Sequence, residues 1–380
     1  MVIQAELTDK YKLLYISFCN FVLFWQLKFN TMDGRAVLLT QGMLDTHNAK
    51  TAHGLIRGSE RYQVVGVIDN KNAGKDAGEV LDGKARNIPI FDSVVSFKQS
   101  GIDADYLVIG VATKGGRIPK PMREEISTAV NCGLNIVNGL HEFLTDDQDL
   151  QALAHKHGVS LYDIRKPRPK NQLKFWDGSI NRVKCPKIAV LGTDCALGKR
   201  TTARMLVQAA REMGLKSEMI YTGQTGWLQG GKYGFIFDST YNDFVSGELE
   251  NAIVTCYDEQ KPDLIFLEGQ SSLQNPTGPC GAEFLLSGKA DGVVLQHAPG
   301  RKYFGDEPEL GEIPPLKTEL ELIRLYGSRT IAITLNTSGL TADQADAFQD
   351  EYQKEFGIPV VQPLKDGVSG IIKKLVDQRS

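Results

Sequence analysis

The chain has 380 residues, 42% apolar and 23% charged, with a formal net charge of −3. That length exceeds what one hydrophobic core usually serves, so two domains are expected. There is no basic excess to hold a nucleic-acid backbone by counterion release, which disfavours DNA or RNA as a partner. Six cysteines, Cys19, Cys132, Cys185, Cys195, Cys256 and Cys280, form no CxxC pair. This argues against a disulfide framework and a structural zinc site, and for a reducing, cytoplasmic setting.

Residues 13–29 are mostly apolar but carry Ser17, Asn20, Gln26 and Lys28, and no small-residue cleavage site follows them. Residues 1–31 therefore read as an extension, with Met32 as the natural start and no membrane partner. Over 32–164, the runs Ala36-Val37-Leu38-Leu39, Val64-Val65-Gly66-Val67-Ile68, Tyr106-Leu107-Val108-Ile109-Gly110-Val111, Leu134-Asn135-Ile136-Val137 and Val159-Ser160-Leu161-Tyr162 alternate with helical stretches. Continuous Val, Ile and Leu runs suit a parallel sheet covered on both faces, so this half is expected to be Rossmann-like. Asp69 stands where a ribose-binding acid would stand in a dinucleotide fold. The first turn, Thr40-Gln41-Gly42-Met43, lacks GxGxxG, so a structural or substrate-shaping role is favoured over NAD binding. Lys114-Gly115-Gly116-Arg117, at a strand end, is the first-domain segment expected to reach a shared pocket.

Prolines and charges in Lys166-Pro167-Arg168-Pro169-Lys170 mark a linker over 165–186. Alternation then resumes over 187–380, with strands expected at 187–191, 217–221, 264–267, 292–296, 330–335 and 360–361. The first of these runs into Gly192-Thr193-Asp194-Cys195-Ala196-Leu197-Gly198-Lys199-Arg200-Thr201-Thr202 and a helix. A strand turning through a glycine-rich loop into a helix aims backbone N–H groups and the helix dipole at one point, where a phosphate can sit. Lys199 is expected to straddle phosphate oxygens. Five residues rather than four separate Gly192 from Gly198, and Arg200 replaces the hydroxyl that usually holds magnesium. Cys195 and Cys280 are read as small loop residues in preference to nucleophiles.

A buried strand delivers Glu268 to its C-terminal end, the edge where ligands bind in an open α/β sheet, followed by Gly269, Gln270 and Ser271. A carboxylate there can hold magnesium or take a proton from a nucleophile. Three further loops share that edge. Gln224 and Thr225 lie in the first, within Tyr221-Thr222-Gly223-Gln224-Thr225-Gly226, and are candidate substrate contacts. His297, in Gln296-His297-Ala298-Pro299-Gly300-Arg301-Lys302, is a candidate acid or base, and Arg301 and Lys302 suit a dicarboxylate substrate. Asn336-Thr337-Ser338-Gly339 ends the next strand.

The phosphate loop and Glu268-Gly269 resemble those of dethiobiotin synthetase. More specifically, GTDCALGKRTT, YTGQTGWLQG, FLEGQSSLQNP and LQHAPGRK, behind a Rossmann-like half, resemble a two-domain P-loop family of long-unassigned function in which D-glutamate N-acetyltransferase activity is recognised. The resemblance implies acetyl transfer from acetyl-CoA to the amine of D-glutamate, with the phosphate loop holding the coenzyme and no metal required. It implies Glu268 as the base, Gln270 and Ser271 beside the developing oxyanion, and a pathway neighbour that racemises the N-acetylated product. Two other readings stay open. One is a ligase or kinase using Mg-ATP in the same loop; the other is a non-catalytic nucleotide or CoA sensor. A homo-oligomer is compatible with the sequence, which does not fix the assembly.

Overall fold

Runs of branched apolar residues, uninterrupted by polar alternation, build two parallel sheets in the computed structural model, which describes residues 33–377. The expectation for residues 1–31 lies outside the described residues. The first sheet contains β1 (Gly34–Leu39), β2 (Tyr62–Ile68), β3 (Ile90–Phe91), β4 (Tyr106–Ile109), β5 (Asn135–Asn138) and β6 (Leu161–Asp163), in the order β3-β2-β1-β4-β5-β6. Helices α1 (Lys50–Arg57), α2 (Ala77–Asp82), α3 (Val94–Gln99), α4 (Lys120–Asn131) and α5 (Gln148–His157) connect them. Ala36, Val37, Leu38 and Leu39 are all fully buried, as a central strand sandwiched between helices must be.

The second sheet contains β7 (Lys187–Gly192), β8 (Ser217–Tyr221), β9 (Tyr233–Gly234), β10 (Leu264–Glu268), β11 (Gly292–His297), β12 (Thr330–Leu335) and β13 (Val360–Val361), in the order β13-β12-β11-β7-β10-β8-β9. Its helices are α6 (Lys199–Glu212), α7 (Gln224–Leu228), α8 (Asn242–Gln260), α9 (Ala282–Leu286), α10 (Leu316–Leu325), α11 (Ala342–Phe356), α12 (Pro363–Asp366) and α13 (Ser369–Asp377). Every pairing within both sheets is parallel, so the strands of each sheet end on one edge. Both halves are thus α/β domains, Rossmann-like first and P-loop second. Among the described residues, no helix is long and apolar enough to cross a membrane.

The first domain's core runs on into the second, taking in Tyr221, Trp227 and Leu228. Around that apolar seam, Arg61 Nε donates to the Trp227 carbonyl at 2.9 Å, and its guanidinium lies 4.2 Å from the indole centroid. Gln229 Nε2 donates to the carbonyls of Gly54 (2.8 Å) and Gly58 (2.9 Å). A shared core crossed by buried hydrogen bonds fixes the two domains against each other more firmly than a polar contact alone. The joining segment is fastened too, because Glu250 of α8 accepts from the amides of Asp177 (2.8 Å) and Ile180 (3.0 Å). Glu248 accepts from the Lys174 amide at 2.8 Å and pairs with Arg168.

Asp69 is fully buried at the end of β2. Its carboxylate accepts from Thr40 Oγ1 (2.7 Å), the Leu44 amide (3.0 Å), the Asn72 amide (3.0 Å) and Asn72 Nδ2 (3.1 Å). Both oxygens are therefore committed to pinning the first turn, which is the structural role expected for this residue.

Candidate active site

β7 lies between β10 and β11, so the loop after it leaves the middle of the second sheet. Gly198 begins α6 with φ +102°, a left-handed conformation that favours glycine, and no side chain caps the helix. The first-turn amides of Lys199, Arg200 and Thr201 have no partner inside the helix and add to its positive pole, which suits an anion. Lys199 Nζ donates to the carbonyls of Asp194 (2.5 Å) and Ser271 (2.9 Å), leaving a third N–H for a ligand oxygen. Burial pushes the Lys199 pKa down, while Cys195 and Asp194 oppose the shift. Cys195 and Ala196 stand exposed at the crest of the loop, and Leu197 is buried beneath it.

Three residues of the quoted motif support the loop from below. Asp194, fully buried, accepts from Asn275 Nδ2 (2.8 Å), Arg301 Nη1 (2.9 Å) and the Gly305 amide (2.8 Å). Thr193 Oγ1 lies 2.9 Å from His297 Nδ1, and Thr202 Oγ1 donates to Gln296 Oε1 at 2.6 Å. Through its side chains this loop holds itself in shape, and through its amides and Lys199 it faces an anion.

Glu268, at the end of β10, is 3% exposed. Its Oε2 accepts from the Thr222 amide at 3.1 Å, and Oε1 lies 3.8 Å from Arg200 Nη1. Burial raises the Glu268 pKa, opposed first by the Arg200 charge and then by the Thr222 hydrogen bond. Thr222 Oγ1 donates to the Glu268 carbonyl at 2.5 Å and accepts from Gln270 Nε2 at 2.8 Å. A Cβ on Gly226 of α7 would sit 2.9 Å from Glu268 Oε2 and 2.5 Å from Tyr221 Cβ, so only glycine lets α7 pass this close. Ser271 adopts φ +29°, turning its carbonyl to Lys199 and its hydroxyl to within 3.4 Å of Cys195 Sγ. Lys199 and Glu268 therefore line one crevice at adjoining strand ends.

Other candidates occupy different places. His297 is 7% exposed, with Nδ1 on Thr193 and Nε2 3.5 Å from the Tyr352 hydroxyl; burial lowers its pKa to about 4. Its ring is thus packed behind the loop, between Thr193 and Tyr352. Arg301 is held by Asp194, by the Cys195 carbonyl (2.8 Å) and by Asp306 (3.3 Å), so it braces the loop and is not free for a substrate. Lys302 is exposed and pairs with Glu312 at 3.0 Å, because Tyr303 and Glu312 form an antiparallel bridge that draws the two chains together. Gln224 and Thr225 are buried against the first domain: Gln224 Oε1 accepts from Arg165 Nη2 (3.0 Å), and Thr225 Oγ1 lies 3.0 Å from Thr51 Oγ1.

Arg165 also chelates Asp238, with Nε to Oδ1 at 3.1 Å and Nη2 to Oδ2 at 2.6 Å. This cross-domain clamp and Lys50 of α1, which feels the charges of Arg165, Arg200 and Asp238, are the first domain's contribution to the crevice. In Lys114-Gly115-Gly116-Arg117 only Gly116 is buried, its carbonyl accepting from the His141 and Glu142 amides, while Lys114, Gly115 and Arg117 are exposed. Neither Lys50 nor Arg165 belongs to a local motif. Among the described residues, no three His, Cys, Asp or Glu side chains group as a metal site.

Fold and site together define a two-domain α/β protein, Rossmann-like first and P-loop second, with residues of both domains meeting beside the loop. Family models match residues 70–167 as the Rossmann-like domain, and residues 174–372 as the P-loop domain, of the domain of unknown function DUF1611. The chain belongs to the DUF1611 family. It is 32% identical over 281 residues to a Pseudoalteromonas protein named D-glutamate N-acetyltransferase, covering 72% of this chain and 82% of that one. A protein of the same name from Tritonibacter scottomollicae is 32% identical over 279 residues, covering 72% and 81%. The crystal structure of a DUF1611 family protein from Anabaena variabilis superposes with a TM-score of 0.83 at 31% identity, covering 91% of this chain and 100% of that one.

Proposed function

We propose that this protein is an N-acetyltransferase that moves acetyl from acetyl-CoA to the amine of D-glutamate or a similar acidic amino acid. The observation that carries the reading is the juxtaposition of a phosphate-type loop with a buried, polarised carboxylate, in a chain whose relatives bear that name. The third N–H of Lys199 and the uncapped first turn of α6 fit phosphate oxygens of the coenzyme. Acetyl-CoA supplies an activated acetyl group, whose C–S bond is exchanged for the C–N bond of the amide as the thiol departs.

The chain's own residues manage charge and protons. Glu268 takes a proton from the substrate ammonium and so frees the amine lone pair for attack, the second N–H proton lost as the amide forms leaves on the thiol, and the raised pKa of Glu268 brings its basicity nearer the working pH. Arg200 and the Thr222 amide hold the carboxylate in place. Gln270 and Ser271, just past the strand end, flank the same crevice and are suited to stabilise oxyanion charge. Arg200 also occupies the place of a magnesium-holding hydroxyl, and Thr202 is turned to Gln296; both features favour acetyl transfer over a Mg-ATP reaction.

Purified protein given acetyl-CoA and D-glutamate should release free thiol and form N-acetylglutamate in equal amounts. Failure with every acidic amino acid, together with ADP formation from Mg-ATP, overturns the reading. The reaction product implies a downstream step acting on an N-acylated amino acid, such as racemisation, and acetyl-CoA implies a cytoplasmic setting. A homo-oligomer remains part of this proposal only as an assembly the sequence allows.

A further inference from the structure

Lys50 begins α1 and shares a helix face with Gly54, one turn later. That face lies on the second domain: a Cβ at Gly54 would sit 3.0 Å from both Arg200 Nη2 and Thr225 Cγ2, and Thr51 touches Thr225. Arg200 in turn faces Glu268. The start of α1 is thus carried to the mouth of the crevice that holds the carboxylate.

Charges around that mouth are unevenly met. Lys50, Arg165, Lys199 and Arg200 are cationic there; Asp238 and Glu268 stand against Arg165 and Arg200, and Asp194, itself held by Arg301, acts on Lys199. Lys199 belongs to the phosphate loop. Lys50 makes no ion pair or hydrogen bond among the described residues. Water reaches its side chain, yet protein on both sides desolvates the ammonium enough to lower its pKa, with Arg165 and Arg200 pushing the same way. A cation kept without a counter-ion in a cleft wall is an unfavourable arrangement that an anionic ligand relieves.

We propose that Lys50 receives the distal carboxylate of the acyl acceptor and thereby selects an acidic amino acid over its neutral analogue. This rests on the acetyltransferase reading and names the residue that gives it specificity. A carboxylate held by Lys50 has its amine end directed inward, towards the Arg200 and Glu268 side of the cleft. The amide analogue, lacking the charge, leaves Lys50 uncompensated, and discrimination against it follows from that unpaired cation.

The test compares D-glutamate with D-glutamine in the full-length wild type, Lys50→Met and Lys50→Arg. Lys50→Met should raise the D-glutamate KM by about 10- to 100-fold, the effect of losing one charge-assisted hydrogen bond. The preference for D-glutamate over D-glutamine should collapse by a similar factor, and the acetyl-CoA KM should stay within about twofold. Lys50→Arg should restore part of the preference. An unchanged D-glutamate to D-glutamine ratio in Lys50→Met overturns the assignment. Calorimetric titration of the same proteins with D-glutamate separates this from the function itself. Binding by wild type that Lys50→Met abolishes supports the Lys50 site even if no acetyl group is transferred, in which case only the acetyltransferase reading fails. Equal binding by both proteins, or none by wild type, overturns the Lys50 site.

Discussion

Replacing Glu268 by glutamine separates a catalytic carboxylate from a structural one. At 3.8 Å the Glu268–Arg200 attraction is about 4 kcal/mol for an effective dielectric of about 20. The Glu268 pKa is nonetheless raised, so desolvation of the carboxylate outweighs that attraction together with the Thr222 hydrogen bond. A carboxyl whose folded pKa lies above its unfolded value lowers stability at neutral pH, and the penalty disappears as pH falls through the folded pKa. Glutamine is nearly isosteric, keeps an oxygen for the Thr222 amide and removes the buried charge. Its Tm should therefore hold steady or rise. Turnover should fall by about 10²- to 10⁴-fold, the usual contribution of a general base, with acetyl-CoA affinity retained. Thiol-release kinetics and a thermal melt on one preparation measure both. Turnover within threefold of wild type, or a Tm loss matching the activity loss, refutes the reasoning.

Lys199→Met removes the N–H offered to the coenzyme and should weaken CoA binding by about 10- to 150-fold by calorimetry; unaltered affinity would place the phosphates elsewhere. Gly226→Ala places a methyl 2.9 Å from Glu268 Oε2 and 2.5 Å from Tyr221 Cβ. It should destabilise by about 1–3 kcal/mol in urea unfolding and depress kcat, and unaffected values of both contradict the close packing of α7. His297, with its pKa lowered to about 4 by burial, is neutral in the fold and takes up its proton more readily when unfolded. The stability it contributes should be present at neutral pH and fall by about 3 kcal/mol as pH drops from about 6.5 towards 4. Urea midpoints at neutral pH and at about pH 4.5 should diverge less in His297→Gln than in wild type; equal divergence is the contrary result.

Strand positions were legible where apolar runs were long, as for β1, β7, β10 and β11. Ile90–Phe91 and Tyr233–Gly234 escaped, although the equally short Val360–Val361 was read. Glu268 was legible because a buried parallel strand must present its last residue at the ligand edge. For His297 the same logic gives the edge but not the direction of the ring. The end of a strand also has an underside, and only the packing of Tyr352 and Thr193 against the ring shows which side the imidazole takes. Arg301 and Lys302 looked like a pair of substrate cations. Their partners Asp194 and Glu312 are distant in the chain or brought near by an antiparallel bridge that no local pattern announces. Lys50 and Arg165 were invisible as ligand residues because their meaning comes from the other domain.

The four donors gathered on Asp69 have a consequence for the first sheet. With both oxygens of this acid engaged by the turn beside it, the carboxylate acts as a local brace of the first sheet rather than an open acceptor. Under the Lys50 assignment, α1 serves the choice of acyl acceptor, and the loop before α6 serves the phosphates.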